Sequence, residues 1–367
     1  LKVAAAAEAI RAGKLAIIPT ETVYGVAGSA KSAEAVAFLK NRPEAPDHLV
    51  PAAKASTWHA PSVAVVIKTL RITNLLHRRI FSRMAPGPVR FLVQKAQGDV
   101  TTILTELGLP HGVIEHAGEF SVRIPDHPVA KEILEEAGVT VVAERTSAFG
   151  LGDGRTLPED IEQLAAKAGI TAVVDDGPTR LGKPSTAVRL NLDGGYDVLP
   201  GGLYDERYIR KKVERVVLFV CTGNTCRSPM AAAIAQDYLA RSKSPIPTRV
   251  MSAGVAAAAG EPMTPEAREA LHELKIEAGP WRAHELTRDQ VKDAEVIYGM
   301  TKAHVQAVLE MAPFAAGKIF PLDPEGADVP DPIGGSPQEY RATALRLKQL
   351  VERRLMELLA ASVKETP

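Results

Sequence analysis

Cys221 and Arg227 bracket the run Cys221-Thr222-Gly223-Asn224-Thr225-Cys226-Arg227-Ser228, which joins a nucleophilic sulfur, a glycine, small hydroxyl residues and a planar cation. The unbroken apolar segment Val216–Val220 precedes it and predicts a buried parallel strand, while the alanine and leucine spacing from Pro229 onward is helical. A strand–loop–helix joint of this kind points successive backbone N–H groups and a helix N-terminus into one concavity, which binds a phosphate dianion. The same field stabilises a thiolate, so Cys221 is a ready nucleophile toward phosphorus. Arg227 can grip two phosphoryl oxygens in a fork that lysine cannot supply.

The chain has two cysteines, Cys221 and Cys226, both in this loop. Cys226 either forms a reversible disulfide with Cys221 under oxidation or packs beneath the loop. A bridge so local would staple no distant parts of the fold. The histidines, His284 in His284-Glu285 among them, do not fall at metal-ligand spacings, and no metal is expected.

The elements that must position such a loop follow from periodicity. Apolar runs alternate with helical patterns, as in Leu15–Pro19 before Ser32–Lys40 and Val216–Val220 before Met230–Arg241, which predicts α/β domains. At 367 residues the chain exceeds what one core usually organises, so two domains are expected. Pro200-Gly201-Gly202 and the charged stretch that follows mark the boundary: a domain over 1–206, a linker over 207–214 and a second domain over 215–367.

Hydrophobic residues at 46% and charged residues at 24% exclude a largely disordered or fibrous chain. Lysine plus arginine and aspartate plus glutamate both number 44, so no global field marks a nucleic acid, a membrane or an acidic partner. Leu1 to Ile18 places Glu8, Arg11 and Lys14 among alanines and leucines, which predicts an amphipathic helix rather than a signal peptide. No apolar stretch has the length needed to span a bilayer, and the cytoplasm is the expected compartment.

The run from Cys221 to Pro229 resembles the signature loop of the low-molecular-weight protein-tyrosine phosphatases. The resemblance continues in Ser252-Ala253-Gly254, in Met300-Thr301-Lys302-Ala303-His304 after the apolar Val296–Tyr298, and in Asp331-Pro332. It implies a parallel-sheet phosphatase fold, a phosphorylated protein as partner and no cofactor. Cys221 would form a phosphocysteine, Arg227 would bind the phosphate, and Asp331, on a loop set by Pro332, would protonate the leaving group and then help activate water. Thr222, Gly223, Thr225 and Cys226 complete the loop, and Asn224, Ser228 and Ser252 would hold its geometry by hydrogen bonds. Thr225, together with Ile333-Gly334-Gly335-Ser336 after Pro332, resembles the bacterial protein-arginine-phosphatase branch. That pattern implies phosphoarginine in preference to phosphotyrosine; the alternative is that Thr225 only packs and phosphotyrosine is preferred.

Upstream, the order Pro19-Thr20-Glu21-Thr22-Val23-Tyr24-Gly25, Lys40-Asn41-Arg42-Pro43, Pro86-Gly87-Pro88, Arg123-Ile124-Pro125-Asp126-His127-Pro128, Asp176-Gly177-Pro178 and Ser185-Thr186 resembles the YrdC-like threonylcarbamoyl-AMP synthase family. The family fold is a twisted α/β sheet with an open concave face. Its cleft takes ATP, L-threonine and bicarbonate and makes an adenylate used to modify tRNA. By position Thr22, Lys40, Arg42, Arg123 and Ser185 would line that cleft, the cations facing triphosphate. The chain departs from the pattern in reading Ala143-Glu144-Arg145-Thr146-Ser147-Ala148 where the family carries Ser-x-Asn. A nucleotide- or RNA-binding module without turnover, or a scaffold, is the alternative.

Overall fold

The computed structural model describes residues 2–41 and 55–364, so Arg42 of the expected cleft lies outside the described residues. The chain divides into two compact units, Leu1–Val213 and Glu214–Pro367, each of mixed helix and strand. Among the described residues no helix is long and apolar enough to cross a membrane.

The N-terminal unit is built on strands β1 (Leu15–Ile18), β2 (Gly25–Ser29), β3 (Thr57–His59), β4 (Val89–Gln94), β5 (Glu115–His116), β6 (Glu119–Arg123), β7 (Val141–Arg145), β8 (Ile170–Val173), β9 (Thr186–Leu190) and β10 (Tyr196–Val198). They form one mixed sheet in the order β10-β9-β4-β6-β3-β7-β2-β1-β8, with β5 paired to β6. Its strands alternate between two cores. Leu15, Ile17, Val26 and Val142 enter the larger one, whereas Ala16, Ile18, Ala27, Val141 and Ala143 meet the helices Lys2–Arg11 and Pro128–Ala137 through Ala6, Ala7, Ile10, Ile133 and Leu134.

The helix expected from Leu1 to Ile18 is corrected here. It ends at Arg11, Gly13 turns the chain at φ 78°, and Leu15–Ile18 is a strand buried along its whole length. A helix end followed by a left-handed glycine stops the periodicity that the alanines suggested.

Among the described residues the C-terminal unit holds four parallel strands, β11 (Arg215–Cys221), β12 (Thr248–Gly254), β13 (Val296–Gly299) and β14 (Ile319–Pro321), in the order β12-β11-β13-β14. Every residue of β11 is buried. Val217, Phe219 and Cys221 face a core with the helices Arg227–Ser242, Pro265–Glu273 and Pro337–Lys364, and Val216, Leu218 and Val220 face one with Arg288–Asp293 and Lys302–Met311. Covered on both faces, the strand needs apolar side chains at successive positions, which is why its sequence shows no alternation.

The linker expected over 207–214 is also corrected. Residues Glu206–Val213 form a helix whose Ile209 and Val213 are fully buried in the N-terminal core, while Arg207, Arg210, Lys211 and Lys212 face outward. The four-residue spacing of the two apolar positions was outweighed by the density of charge around them. Replacing Ile209 by alanine is expected to destabilise the N-terminal unit by about 2–5 kcal/mol, against little change for an unpacked linker. Denaturant titration followed by Trp58 fluorescence, in a Trp281→Phe background, reads that unit alone.

Candidate active site

In the C-terminal unit β12 and β13 flank β11 on opposite sides, so the strand connections diverge at the carboxyl end of β11, the usual place for a ligand in an open parallel sheet. Cys221 is the last residue of β11 and pairs in register with Gly254. A Cβ on Gly254 would fall 2.4 Å from the carbonyl oxygen of Thr222, so only glycine lets β12 approach the loop this closely.

The carbonyl oxygens of Cys221, Thr222 and Thr225 accept hydrogen bonds from the N–H groups of Val255, Ala256 and Thr264. Because the two edges of a trans peptide point in opposite directions, this turns the N–H groups of Thr222, Gly223 and Cys226 away from those partners. Asn224 donates its own N–H to Cys221 Sγ at 3.2 Å, and Ser228 Oγ lies 2.9 Å from the sulfur. Asn224 adopts a left-handed φ of 55°, a conformation that asparagine tolerates better than most residues. Its side chain accounts for the stability of that turn: Nδ2 donates to Ser228 Oγ at 2.9 Å and to Ser252 Oγ, and Oδ1 accepts from the His284 N–H at 3.1 Å. Asn224, Ser228 and Ser252 are all fully buried, and each is satisfied within this network.

Arg227 opens the helix Arg227–Ser242 and is buried. Its Nη1 donates to the carbonyl of Val329 at 3.2 Å, and its Nη2 forms an ion pair with the carboxylate of Asp331. Asp331 also accepts the Ile333 N–H at 3.3 Å and remains 40% exposed. The structure therefore brings together all the loop and support residues expected from sequence, with Asp331 beside them.

Two neighbours carried no role in the sequence. His304, buried, hydrogen-bonds the hydroxyl of Thr222 through Nε2 at 2.9 Å and that of Thr301 through Nδ1 at 2.8 Å. Burial pushes its imidazole down to about 4, the Arg227 charge adds to this, and Asp331 and Asp328 oppose it, so the ring is neutral near neutral pH. Tyr340 lies beneath the loop, its hydroxyl 3.6 Å from Cys226 Sγ, with Thr264 Oγ1 at 3.5 Å and Thr225 Oγ1 at 3.7 Å from the same sulfur. Burial first, then the contact with Cys226, pushes the Tyr340 phenol up to about 12. Cys226 is thus packed below the loop, and both cysteines are free thiols.

In the N-terminal unit the segment Thr20–Thr22 and Arg123 form a buried hub. Arg123 Nη2 donates to Glu21 Oε1 at 2.9 Å, to Thr22 Oγ1 at 2.5 Å and to Thr20 Oγ1 at 3.3 Å, while Glu21 Oε2 accepts the Asp126 N–H at 3.1 Å. Thr22 and Arg123 are therefore in contact, but the guanidinium is turned onto Glu21. Lys40 is exposed at the end of the helix Ala33–Lys40, beside Gly112, and Ser185 is half-buried just before β9; neither hydrogen-bonds Thr22 or Arg123. Tyr24 closes the neighbouring turn, donating to Gly177 O at 2.7 Å and accepting the Asp176 N–H, and burial pushes its phenol up to about 12. Thr146, at the position of the missing Ser-x-Asn element, is fully buried, and its hydroxyl has no partner among the described residues. Glu21 was the signal in the sequence for this arrangement: an acid between two threonines on an apolar strand end needs a buried cation.

Comparison with known proteins agrees with this division. The family model for low molecular weight phosphotyrosine protein phosphatase matches residues 216–366, and the Sua5/YciO/YrdC model, described as telomere recombination, matches residues 8–202. A protein-arginine-phosphatase of Geobacillus stearothermophilus is 38% identical over 141 residues, which is 37% of this chain and 91% of the relative. A threonylcarbamoyl-AMP synthase of Bacillus subtilis is 29% identical over 216 residues, 56% of this chain and 55% of the relative. Among solved structures, the YwlE arginine phosphatase from Geobacillus stearothermophilus is 34% identical with a TM-score of 0.38, covering 42% of this chain and 98% of that one. The chain belongs to the Sua5/YciO/YrdC family in its N-terminal unit and to the low-molecular-weight protein phosphatase family in its C-terminal unit.

Proposed function

We propose that the C-terminal unit hydrolyses phosphorylated protein side chains through a phosphocysteine formed on Cys221. The observation that carries this reading is the convergence of the Asn224 N–H on Cys221 Sγ beside a buried, carbonyl-anchored Arg227. Inward amides and the guanidinium hold the three non-bridging phosphoryl oxygens, and the thiolate attacks phosphorus as the bond to the leaving oxygen or nitrogen breaks. Phosphoryl oxygens compete with Asp331 for Arg227; the released carboxylate takes up a proton from solvent and, as the carboxylic acid, passes it to the leaving atom as the bond to phosphorus breaks. The same carboxylate then takes a proton from the water that attacks the phosphocysteine, returning thiolate and phosphate. A thiolate, a cation and a carboxyl supply this chemistry without a cofactor.

Phosphoarginine is the substrate side chain that the site fits best. Ile333-Gly334-Gly335-Ser336 offers no aromatic ring to flank a phenyl group, and the Thr225 hydroxyl, which rests 3.7 Å from Cys226 Sγ, would turn to accept a guanidinium N–H. The relationship to a protein-arginine-phosphatase supports the same choice.

In the N-terminal unit we infer a site for ATP, L-threonine and bicarbonate that serves tRNA modification, with weak formation of the adenylate. Arg123, one of the cations expected to face triphosphate, is offset by Glu21, and Glu144-Arg145-Thr146 stands in place of Ser-x-Asn. A nucleotide- or RNA-binding module without turnover is the second reading, favoured by the same buried pair.

Asp331→Asn is expected to lower kcat by about 10²–10⁴-fold for a substrate with a poor leaving group and by less for an activated aryl phosphate; an equal loss for both contradicts the acid role. Wild type should cleave phosphoarginine peptides faster than phosphotyrosine peptides, and Thr225→Ile should move the kcat/KM ratio toward phosphotyrosine by about 10-fold, near the worth of one polar contact. A wild type that favours phosphotyrosine, or an unchanged ratio, removes the arginine assignment and leaves the general phosphatase. Incubating the protein with ATP, bicarbonate and threonine should yield little threonylcarbamoyl-AMP by mass detection. Robust product would mean that Thr146 or Ser147 replaces the absent element.

A further inference from the structure

His304 takes no part in the reaction proposed above, yet it touches the phosphate loop and the segment that anchors the acid loop; the inference drawn from it rests on the phosphatase reading. Thr222, its first partner, lies next to Cys221 in the loop. Thr301, its second, caps the helix Lys302–Met311, accepting the His304 N–H at its hydroxyl. That helix start is also where the acid loop is tied down. Lys302 N–H donates to Asp328 Oδ1 at 2.8 Å, Val329 N–H donates to Met300 O at 2.8 Å, and the Val329 carbonyl accepts Arg227 Nη1. Hydrogen bonds therefore link Thr222 through His304 to Thr301, and the backbone on either side of Thr301, at Met300 and Lys302, is bonded to the segment just ahead of Asp331.

We propose that His304 is a positioning residue that sets the separation between the Cys221 loop and the Asp331 loop, by holding Thr222 and Thr301 with its two ring nitrogens. A neutral imidazole offers one donor and one acceptor at opposite edges of a rigid ring. It can therefore span two hydroxyls at a fixed distance, with one threonine accepting and the other donating. A histidine kept only as packing would not need both nitrogens satisfied by side chains from two different segments. Its burial is tolerable because both bonds are made.

The prediction separates the two loops kinetically. In His304→Leu the loop amides and Arg227 still hold phosphate, because the Asn224 network holds the loop and Arg227 is fixed at the start of its own helix, but the acid loses its alignment. kcat should fall roughly 10- to 100-fold for a phosphomonoester with a poor leaving group, the scale of a small misplacement, and clearly less for an activated aryl phosphate. Affinity for inorganic phosphate as a competitive inhibitor should stay within about 3-fold, since no group that binds it is lost. Thr222→Val removes the same bond from the other side, so the double variant should be no worse than the more impaired single one. His304→Gln, which keeps a donor and an acceptor, should recover part of the loss.

If both substrates lose rate equally, if the two substitutions add, or if kinetics are unchanged, His304 is not a positioning residue. Should His304→Leu fail to fold, Thr222→Val and His304→Gln give the same leaving-group comparison. A wild-type protein inactive on both phosphates would overturn the phosphatase reading and this inference together, whereas an active wild type with equal losses overturns the inference alone.

Discussion

The turn at Asn224 is the constraint on which the C-terminal site depends. A non-glycine residue at φ 55° gives up the backbone preference of an L-amino acid, and the turn persists only because its surroundings over-determine it. Ser228 and Ser252 take the two side-chain N–H groups and His284 supplies the donor for the oxygen. This network ties together the first turn of the helix Arg227–Ser242, the second strand of the sheet and the segment after Trp281. Because the three elements meet at one buried amide, the N–H of Asn224 is aimed at the Cys221 sulfur before any ligand arrives, and no ordering has to occur at the moment of reaction. The parallel sheet serves that geometry by ending its most buried strand at Cys221, and Gly254 serves it by leaving room for the loop.

A second buried constraint organises the N-terminal unit. An isolated arginine–glutamate pair in a protein interior repays its desolvation only when the remaining polar atoms also find partners. Thr20, Thr22 and the Asp126 amide provide partners for Glu21 and for Arg123 Nη2, while Arg123 Nε is buried with no partner among the described residues. The pair joins the turn after β1 to the end of β6, across the middle of the sheet. His59, beside Arg123 in the sheet, is pushed down to about 3 by burial and by that guanidinium, so it adds no charge to the pair.

Much of the phosphatase site was legible because its requirements are local. An unbroken apolar strand, a glycine-containing loop and an alanine-rich helix follow one another without interruption, so spacing alone placed Cys221, Arg227 and the intervening amides. What stayed hidden depends on contacts between distant segments. Thr264 and Tyr340 reach Cys226 from far along the chain, and nothing at either position distinguishes a cap or a core tyrosine from a partner of that thiol. His304 ends the run Met300-Thr301-Lys302-Ala303-His304, and its Thr-x-x-His spacing at a helix start was the available clue. Where charge and periodicity conflicted, charge misled: Ile209 and Val213 carry the packing of a helix whose other residues read as a linker. In the N-terminal unit the motif order was plain, but whether Arg123 faces a ligand or Glu21 is a question of side-chain direction that spacing does not encode.

The central claim is that Cys221 becomes covalently phosphorylated during turnover. Rapid acid quench of the protein with an activated aryl phosphate, followed by peptide mass mapping, tests it directly. The account predicts a phosphoryl group on the peptide containing Cys221 within the first turnover, a matching burst of leaving group, and neither in Cys221→Ser. Sustained hydrolysis by Cys221→Ser, or a phosphoryl group found on a different residue, would contradict it.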